Sequence, residues 1–171
     1  RRLLEFYRSY GFPIKMLILD SSSDEQNDPY LGKLLKDSAI RHEKFPPSRL
    51  PIPKIASGLT LVTTPYSLFC ADDDFVVPSA VEECMTFLEN HPDFLLAQGW
   101  YISFKLGTDA GNQPGLSWKP AYRDHASIEL ESPSARLDRH FSHYKGTTFY
   151  ALHRSETLKL IMREANENVS D

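Results

Sequence analysis

Apolar positions along this chain switch repeatedly between helical stripes and short continuous runs. Leu3, Leu4, Tyr7 and Tyr10 fall at helical spacing, and Gly11 stops that segment. The run Ile14-Lys15-Met16-Leu17-Ile18-Leu19 reads as a buried strand ending at Asp20, with Ser21-Ser22-Ser23-Asp24 as a polar loop after it. Asp28-Pro29 supplies an N-cap and a first-turn proline for a helix carrying Tyr30, Leu31, Leu34 and Leu35. A short edge strand is expected from Ile40 to Phe45. Pro51-Ile52-Pro53 then opens a helix as far as Val62, with Ile55, Leu59 and Val62 on one side. Tyr66-Ser67-Leu68-Phe69-Cys70-Ala71 forms the next apolar run. Ser79-Ala80-Val81-Glu82 has the pattern of a capping box, for a helix whose inner stripe is Val81, Met85 and Leu88.

Further along, Phe94 to Ala97 starts a strand that extends to Phe104, and residues 107–120 read as a loop containing Gly107, Gly111, Pro114 and Gly115. Such a glycine- and proline-rich segment with few apolar anchors is expected to act as a lid. Ser132-Pro133 reopens a helix, Thr147 to Leu152 reads as a strand, and Ser155 caps a last helix bearing Leu158, Ile161 and Met162. Helix alternates with strand through the first half of the chain. That order predicts an α/β fold in three layers, α/β/α, with a mostly parallel central sheet and helices on both faces.

The densest charge in the sequence follows the apolar run ending at Ala71. Asp72, Asp73 and Asp74 stand in a row, with Phe75-Val76-Val77-Pro78 after them. Three adjacent carboxylates at the end of a buried strand repel one another. Two readings are open. The triplet can be an acidic turn capping the helix that starts near Ser79, since helix N-termini favour negative charge. It can also be a ligand site for a hard divalent cation such as Mg²⁺ or Mn²⁺, which takes oxygen ligands and leaves positions open for phosphate oxygens. The apolar strand before it and the helix start after it favour the second reading, because ligands of open α/β sheets bind at the carboxyl ends of strands.

Composition narrows the field. The 171 residues suffice for one domain with a real core, and 41% hydrophobic with 25% charged residues is ordinary for a globular chain. A formal net charge of -4, with basic residues scattered, argues against a nucleic-acid partner. No apolar stretch reaches the roughly 18–20 residues of a membrane span. Glu5 and Arg8 interrupt any signal-peptide core after Arg1-Arg2. The two cysteines, Cys70 and Cys84, read as small buried hydrophobes, so the expected compartment is the reducing cytoplasm. Peripheral membrane attachment through other parts of a full-length protein is compatible with that expectation.

Taken in order, the strand ending at Asp20, the serine-rich loop, Lys54 and Gly58 on a helix, and Tyr66–Ala71 leading into Asp72-Asp73-Asp74 and Pro78 resemble the nucleotide-sugar half of family 2-like glycosyltransferases with the GT-A fold. The resemblance runs over about residues 1–105, and 1–171 is accordingly expected to be a single GT-A-like domain. The resemblance implies that the chain starts in the helix after the family's first strand and stops before the residue that serves inverting members as general base. The resemblance implies that Asp20 contacts the base or ribose of a nucleoside diphosphate sugar and that Lys54 lies near the nucleotide. It further implies that Asp72 contacts the ribose, and that a Mn²⁺ or Mg²⁺ ion on the diphosphate is held from within Asp72, Asp73 and Asp74. Spacing matches Asp72 and Asp74 to the family's Asp-x-Asp motif, while counting back from Pro78 points to Asp73. The implied reaction moves a sugar from that donor to a carbohydrate, lipid or protein acceptor, with no catalytic base assigned.

Other residues are weighed and set lower. His140 and His143 stand one helical turn apart, as a metal pair or, more commonly, a polar helix face. His153, beside Arg154, is a candidate acceptor-side or phosphate contact. Trp100 and Tyr101 are core residues by default and stacking platforms for an acceptor sugar otherwise. Asn168-Val169-Ser170 fits a glycosylation acceptor, which matters only in a secreted chain. Val77 stands where an EF-hand loop requires Gly. Two further functions compete with sugar transfer. One is a phosphohydrolase of the haloacid-dehalogenase type, which places its acidic motif on the first strand. The other is a catalytically incomplete domain that binds nucleotide or sugar.

Overall fold

The computed structural model describes residues 1–11, 14–23, 29–108, 114–121, 126–142, 144 and 148–168. It is a mixed α/β chain. In order it contains α1 (Arg2–Tyr10), β1 (Met16–Asp20), α2 (Pro29–Leu34), β2 (Ile40–Lys44), α3 (Pro51–Leu59), β3 (Tyr66–Ser67), α4 (Pro78–Asn90), β4 (Leu96–Ala97), β5 (Tyr101–Thr108), β6 (Pro114–Ala121), α5 (Pro133–Ser142), β7 (Leu152–Arg154) and α6 (Ser155–Asn168). The chain divides into two units, one made of residues 1–97 with 152–171 and the other of residues 98–151. No described helix is long and apolar enough to cross a membrane.

In the first unit, β1 and β2 pair in parallel, from Met16 opposite Ile40 to Asp20 opposite Lys44. A second ladder has the order β3-β7-β4. Both of its outer strands run antiparallel to β7, so β3 and β4 run parallel to each other across it. The expected mostly parallel sheet is therefore corrected among the described strands: β1–β2 is the parallel pair, and the other described pairs are antiparallel. The cause is non-local. Helical crossovers do carry β1 to β2 and β3 to β4 in one direction. The strand that fills the place between β3 and β4 then arrives from far along the chain.

The core of this unit is small and mostly aliphatic, with Leu4, Leu34, Leu59, Leu88, Leu152 and Leu158 buried together with Tyr7. α3 packs against β1 and against α6. Its Gly58 lies so close to β1 that a Cβ there would come within 2.6 Å of both Leu19 methyl groups. The buried Ser155 joins ladder to helix, its amide donating to the Pro65 carbonyl at 2.9 Å and its hydroxyl meeting Ser67 Oγ at 3.1 Å. Arg154 closes the C-terminal end of α4. Its guanidinium donates to the carbonyls of Leu88 (2.7 Å), which the helix end leaves without an intrahelical partner, and of Phe94 (2.8 Å) and His91 (3.2 Å) in the turn that follows. The same side chain lies over the Tyr66 ring at 5.8 Å.

Some boundaries shift from expectation. The run through Ala71 is strand only at Tyr66–Ser67, and the single strand expected from Phe94 to Phe104 is two, β4 and β5. α4 starts at Pro78 with Val77 as N-cap and no side-chain cap bond, so Ser79 and Glu82 sit inside the helix and form no capping box. In the second unit, the loop expected over residues 107–120 is instead largely the antiparallel hairpin β5–β6, in register from Tyr101 opposite Ala121 to Thr108 opposite Pro114. Its tip, like Asp28 and His143, lies outside the described residues.

Candidate functional site

Asp20 ends β1, where the parallel pair hands over to the serine loop. A strand's side chains alternate between faces, so His42 and Lys44, two apart on β2, project to the same side. Register sets Lys44 directly opposite Asp20. One carboxylate oxygen, Oδ2, accepts from Lys44 Nζ at 2.9 Å and meets His42 Nε2 at 3.0 Å. The other, Oδ1, accepts from the Ser22 amide at 2.8 Å and the Ser22 hydroxyl at 2.6 Å, closing an Asx turn. Lys44 also reaches Ser22 Oγ at 3.1 Å. From α3, Lys54 Nζ donates to Ser21 Oγ at 2.8 Å. Lys54 thus bonds the loop residue next to Ser22, which in turn bonds Asp20.

Partial burial raises the Asp20 pKa, but the bonds from Ser22 hydroxyl and amide, then Lys44 and His42, outweigh it and hold the carboxyl far below its ordinary range. The carboxylate is thus ionised throughout the physiological range. Its side chain is 20% exposed, His42 32% and Lys44 50%, so the cluster opens to solvent. Chemically it offers one anionic acceptor with two ammonium groups and two hydroxyls close by. This suits a ligand that brings both N–H or O–H donors and negative charge.

The acidic triplet is held differently. Ala71 to Asp74 form a turn closed by the Asp74 amide on the Ala71 carbonyl at 3.3 Å, with the Cys70 thiol 3.4 Å from the Asp74 carbonyl. The carboxylates of Asp72, Asp73 and Asp74 are exposed, and among the described residues none of them takes part in a hydrogen bond or ion pair. What fixes the turn comes from α1. The Val76 amide donates to the Tyr7 hydroxyl at 2.7 Å, and Phe6 meets Phe75 edge to face at 5.1 Å. Burial raises the Tyr7 pKa to about 12, against the lowering effect of the Val76 bond. Burial, and then the charges of Asp74 and Asp73, push the Cys70 thiol up as well.

No three His, Cys, Asp or Glu side chains converge as a cation cage among the described residues. The donor chemistry of the triplet nevertheless fits Mg²⁺ or Mn²⁺. Such ions are typically held by one or two carboxylates, with substrate phosphates and water completing the shell. All three carboxylates are open to solvent.

His42, Lys44, Ser21, Ser22 and Tyr7 belong to these two places and were not among the sequence-predicted site residues. The one signal in the sequence was the alternation of His42 and Lys44 on a short strand. Of the residues set lower, His153 lies on β7 opposite Ser67, its ring 6.4 Å from Phe69. Arg154 is occupied with α4. His140 packs against Phe141 and Tyr144, and His143 is not described. A shallow concavity along α4, lined by Ser79, Glu82, Glu83, Thr86, Phe87, Asn90 and His91, includes none of the candidate residues. Comparison of the chain with protein-family models, curated proteins and solved structures finds no match.

Proposed function

We propose that this chain is a metal-dependent glycosyltransferase domain of GT-A type, acting on a nucleoside diphosphate sugar. The observation that carries the reading is the Asp20 cluster. A strand-ending carboxylate, kept ionised and flanked by Lys44, Lys54 and two serine hydroxyls, gathers at the carboxyl end of the parallel pair. As the family resemblance implies, Asp20 exchanges His42 or Lys44 for a donor of the base or ribose, and the lysines sit near the nucleotide's negative charge. Asp72, Asp73 and Asp74 supply the carboxylates for Mn²⁺ or Mg²⁺. When bound, such an ion neutralises charge developing on the departing diphosphate. α1 fixes the turn that carries them.

In the reaction, the anomeric carbon–oxygen bond to the diphosphate breaks, a bond to the acceptor oxygen forms, and the acceptor proton leaves. The phosphohydrolase alternative is disfavoured, because two strands and three helices precede the strand leading to the triplet. The test is thermal denaturation with a panel of nucleoside diphosphates, with and without Mn²⁺, followed by assay of diphosphate release from the sugar form of whichever nucleotide stabilises. Metal-dependent stabilisation by one nucleotide and release from its sugar are expected. Absence of any metal-dependent shift across the panel would remove the proposal. Binding without release would leave the domain a nucleotide-binding module.

A further inference from the structure

All four lone-pair positions of the Asp20 carboxylate are filled. Oδ1 accepts twice from Ser22, and Oδ2 meets Lys44 Nζ and His42 Nε2. A donor from a ligand can therefore reach this carboxylate only by replacing one of the four. The four are unequal. Both Ser22 bonds close the Asx turn from two residues away, so losing either would open the loop. Lys44 stands directly opposite Asp20 in the strand register and bridges Oδ2 to Ser22 Oγ, with bonds of 2.9 and 3.1 Å. Its departure would also strip the carboxylate of a cation. His42 pairs with Ile18 in the register, reaches Asp20 diagonally at 3.0 Å, and makes that one side-chain bond among the described residues. This is the longest of the four contacts, and its loss leaves the Lys44–Asp20 ion pair and the turn intact.

We propose that His42 is the partner exchanged when a nucleotide binds, and that its imidazole is a proton-controlled latch on Asp20. This rests on the reading of the cluster as a nucleotide site. A neutral imidazole offers the carboxylate an ordinary donor, whereas an imidazolium makes a charge-assisted bond about twice as strong. Protonation therefore tightens the latch. On ligand entry the N–H or O–H of the base or ribose takes the place of His42 on Oδ2, and the freed imidazolium releases its proton to solvent. Affinity should accordingly rise with pH across the ordinary imidazole range, around 6.5. Asp20 itself does not titrate there, because its carboxyl is held far below the ordinary carboxylate range. The charged groups gathered around His42 are Asp20 from the paired strand β1 and Lys44 from its own strand, with Lys54 reaching the serine loop from α3. Arg41 and Glu43 alternate onto the other face of β2 and bond each other at 2.7 Å.

The test is isothermal titration calorimetry of the 171-residue chain with uridine, guanosine, cytidine and adenosine diphosphates, each with Mn²⁺, from about pH 5.5 to 8. His42→Gln keeps a neutral donor that does not titrate, so its profile reports the ligand's own phosphate and every other group. Relative to that profile, wild-type affinity for the nucleotide that binds should rise about 10-fold over the interval. His42→Phe leaves one position on Oδ2 open and should bind about 10-fold more tightly than wild type at the acid end. Weaker binding by His42→Phe overturns the proposal, as does a His42→Gln profile equal to that of the wild type. Either result leaves the nucleotide reading standing, because the wild-type chain still binds. Absence of binding to the wild type by all four nucleotides removes both. Should His42→Phe not fold, the His42→Gln profile and Lys44→Met decide. Weaker binding by Lys44→Met supports Lys44 as the retained partner, and tighter binding makes it the exchanged one and overturns the proposal.

Discussion

At the end of β1 a single carboxylate is held by Ser22, His42 and Lys44, while in the turn after β3 three carboxylates stand in solvent. Both places terminate apolar runs and both are acidic, yet the electrostatics differ in kind. The Asp20 charge is stabilised by the protein itself, so the site is organised before any ligand arrives. The carboxylates of Asp72, Asp73 and Asp74 are exposed and take no hydrogen bond or ion pair among the described residues, although the backbone beneath them is fixed by Tyr7 and Phe6. The comparison teaches that a strand-end carboxylate can be a finished acceptor or an unfinished one. The unfinished one gains most from an added cation.

Removing the unfinished carboxylates should have the largest effect. On the proposed reading, Mn²⁺ with a nucleoside diphosphate at about 100 times Kd adds about 2.7 kcal/mol by linkage, on the order of 5–10 °C in a domain of this size. Asp72→Ala with Asp74→Ala should abolish that shift and leave the ligand-free melting temperature unchanged or higher, because repulsion is relieved. A lower ligand-free melt would show that the triplet serves as a helix cap instead.

Gly58→Val attacks the finished site from behind. The new side chain must enter space taken by Leu19, one residue before Asp20, and should cost about 2 kcal/mol in urea denaturation. Nucleotide affinity should fall with it if β1 is a rigid support. Unchanged affinity would mean that the Asp20 cluster tolerates movement of its strand.

Tyr7→Phe removes the acceptor for the Val76 amide under the acidic turn and should cost about 1–2 kcal/mol. It also carries a pH signature. Tyr7 has a folded pKa raised to about 12, above the unfolded value of about 10. Its contribution is therefore fully present below about pH 10 and lost as pH rises through about 12. The alkaline limb should be shallower in Tyr7→Phe, with the raised Cys70 and Cys84 thiols supplying the remainder, and stability measured from pH 9 to 12 decides.

The smallest effect concerns Asp20 in acid. Its folded pKa is depressed, so its contribution is present above the unfolded carboxylate value of about 3.9 and lost as pH falls below it. Urea midpoints between pH 2 and 6 should fall less steeply in Asp20→Asn than in the wild-type chain. Equal slopes would place the acid-sensitive carboxylates elsewhere.

Much of this was legible in the residues. α1, β1, α4 and α6 follow from apolar spacing, prolines at helix starts and Gly11 at a helix end, all of which act within one or two turns of chain. Asp20 and the triplet were visible for the same reason, as charges that end apolar runs. The hairpin was legible too, in the alternation Ile102, Phe104, Leu106 and Leu116, Trp118, but the glycines around its tip read more strongly as a loop.

Local pattern in the residues placed most of the helices, the strand β1 and the carboxylates that end apolar runs, and it held no span long and apolar enough for a membrane helix among the described residues. Only the tertiary structure decided that β7 lies between β3 and β4, that Lys44 and His42 converge on Asp20, and that Tyr7 supports the turn 69 residues away. Local structure follows from steric and hydrogen-bonding preferences of neighbouring residues. Strand order, register and the pairing of distant polar groups depend instead on which surfaces meet when the chain closes on itself, and a one-residue change of register would have turned His42 and Lys44 away from Asp20.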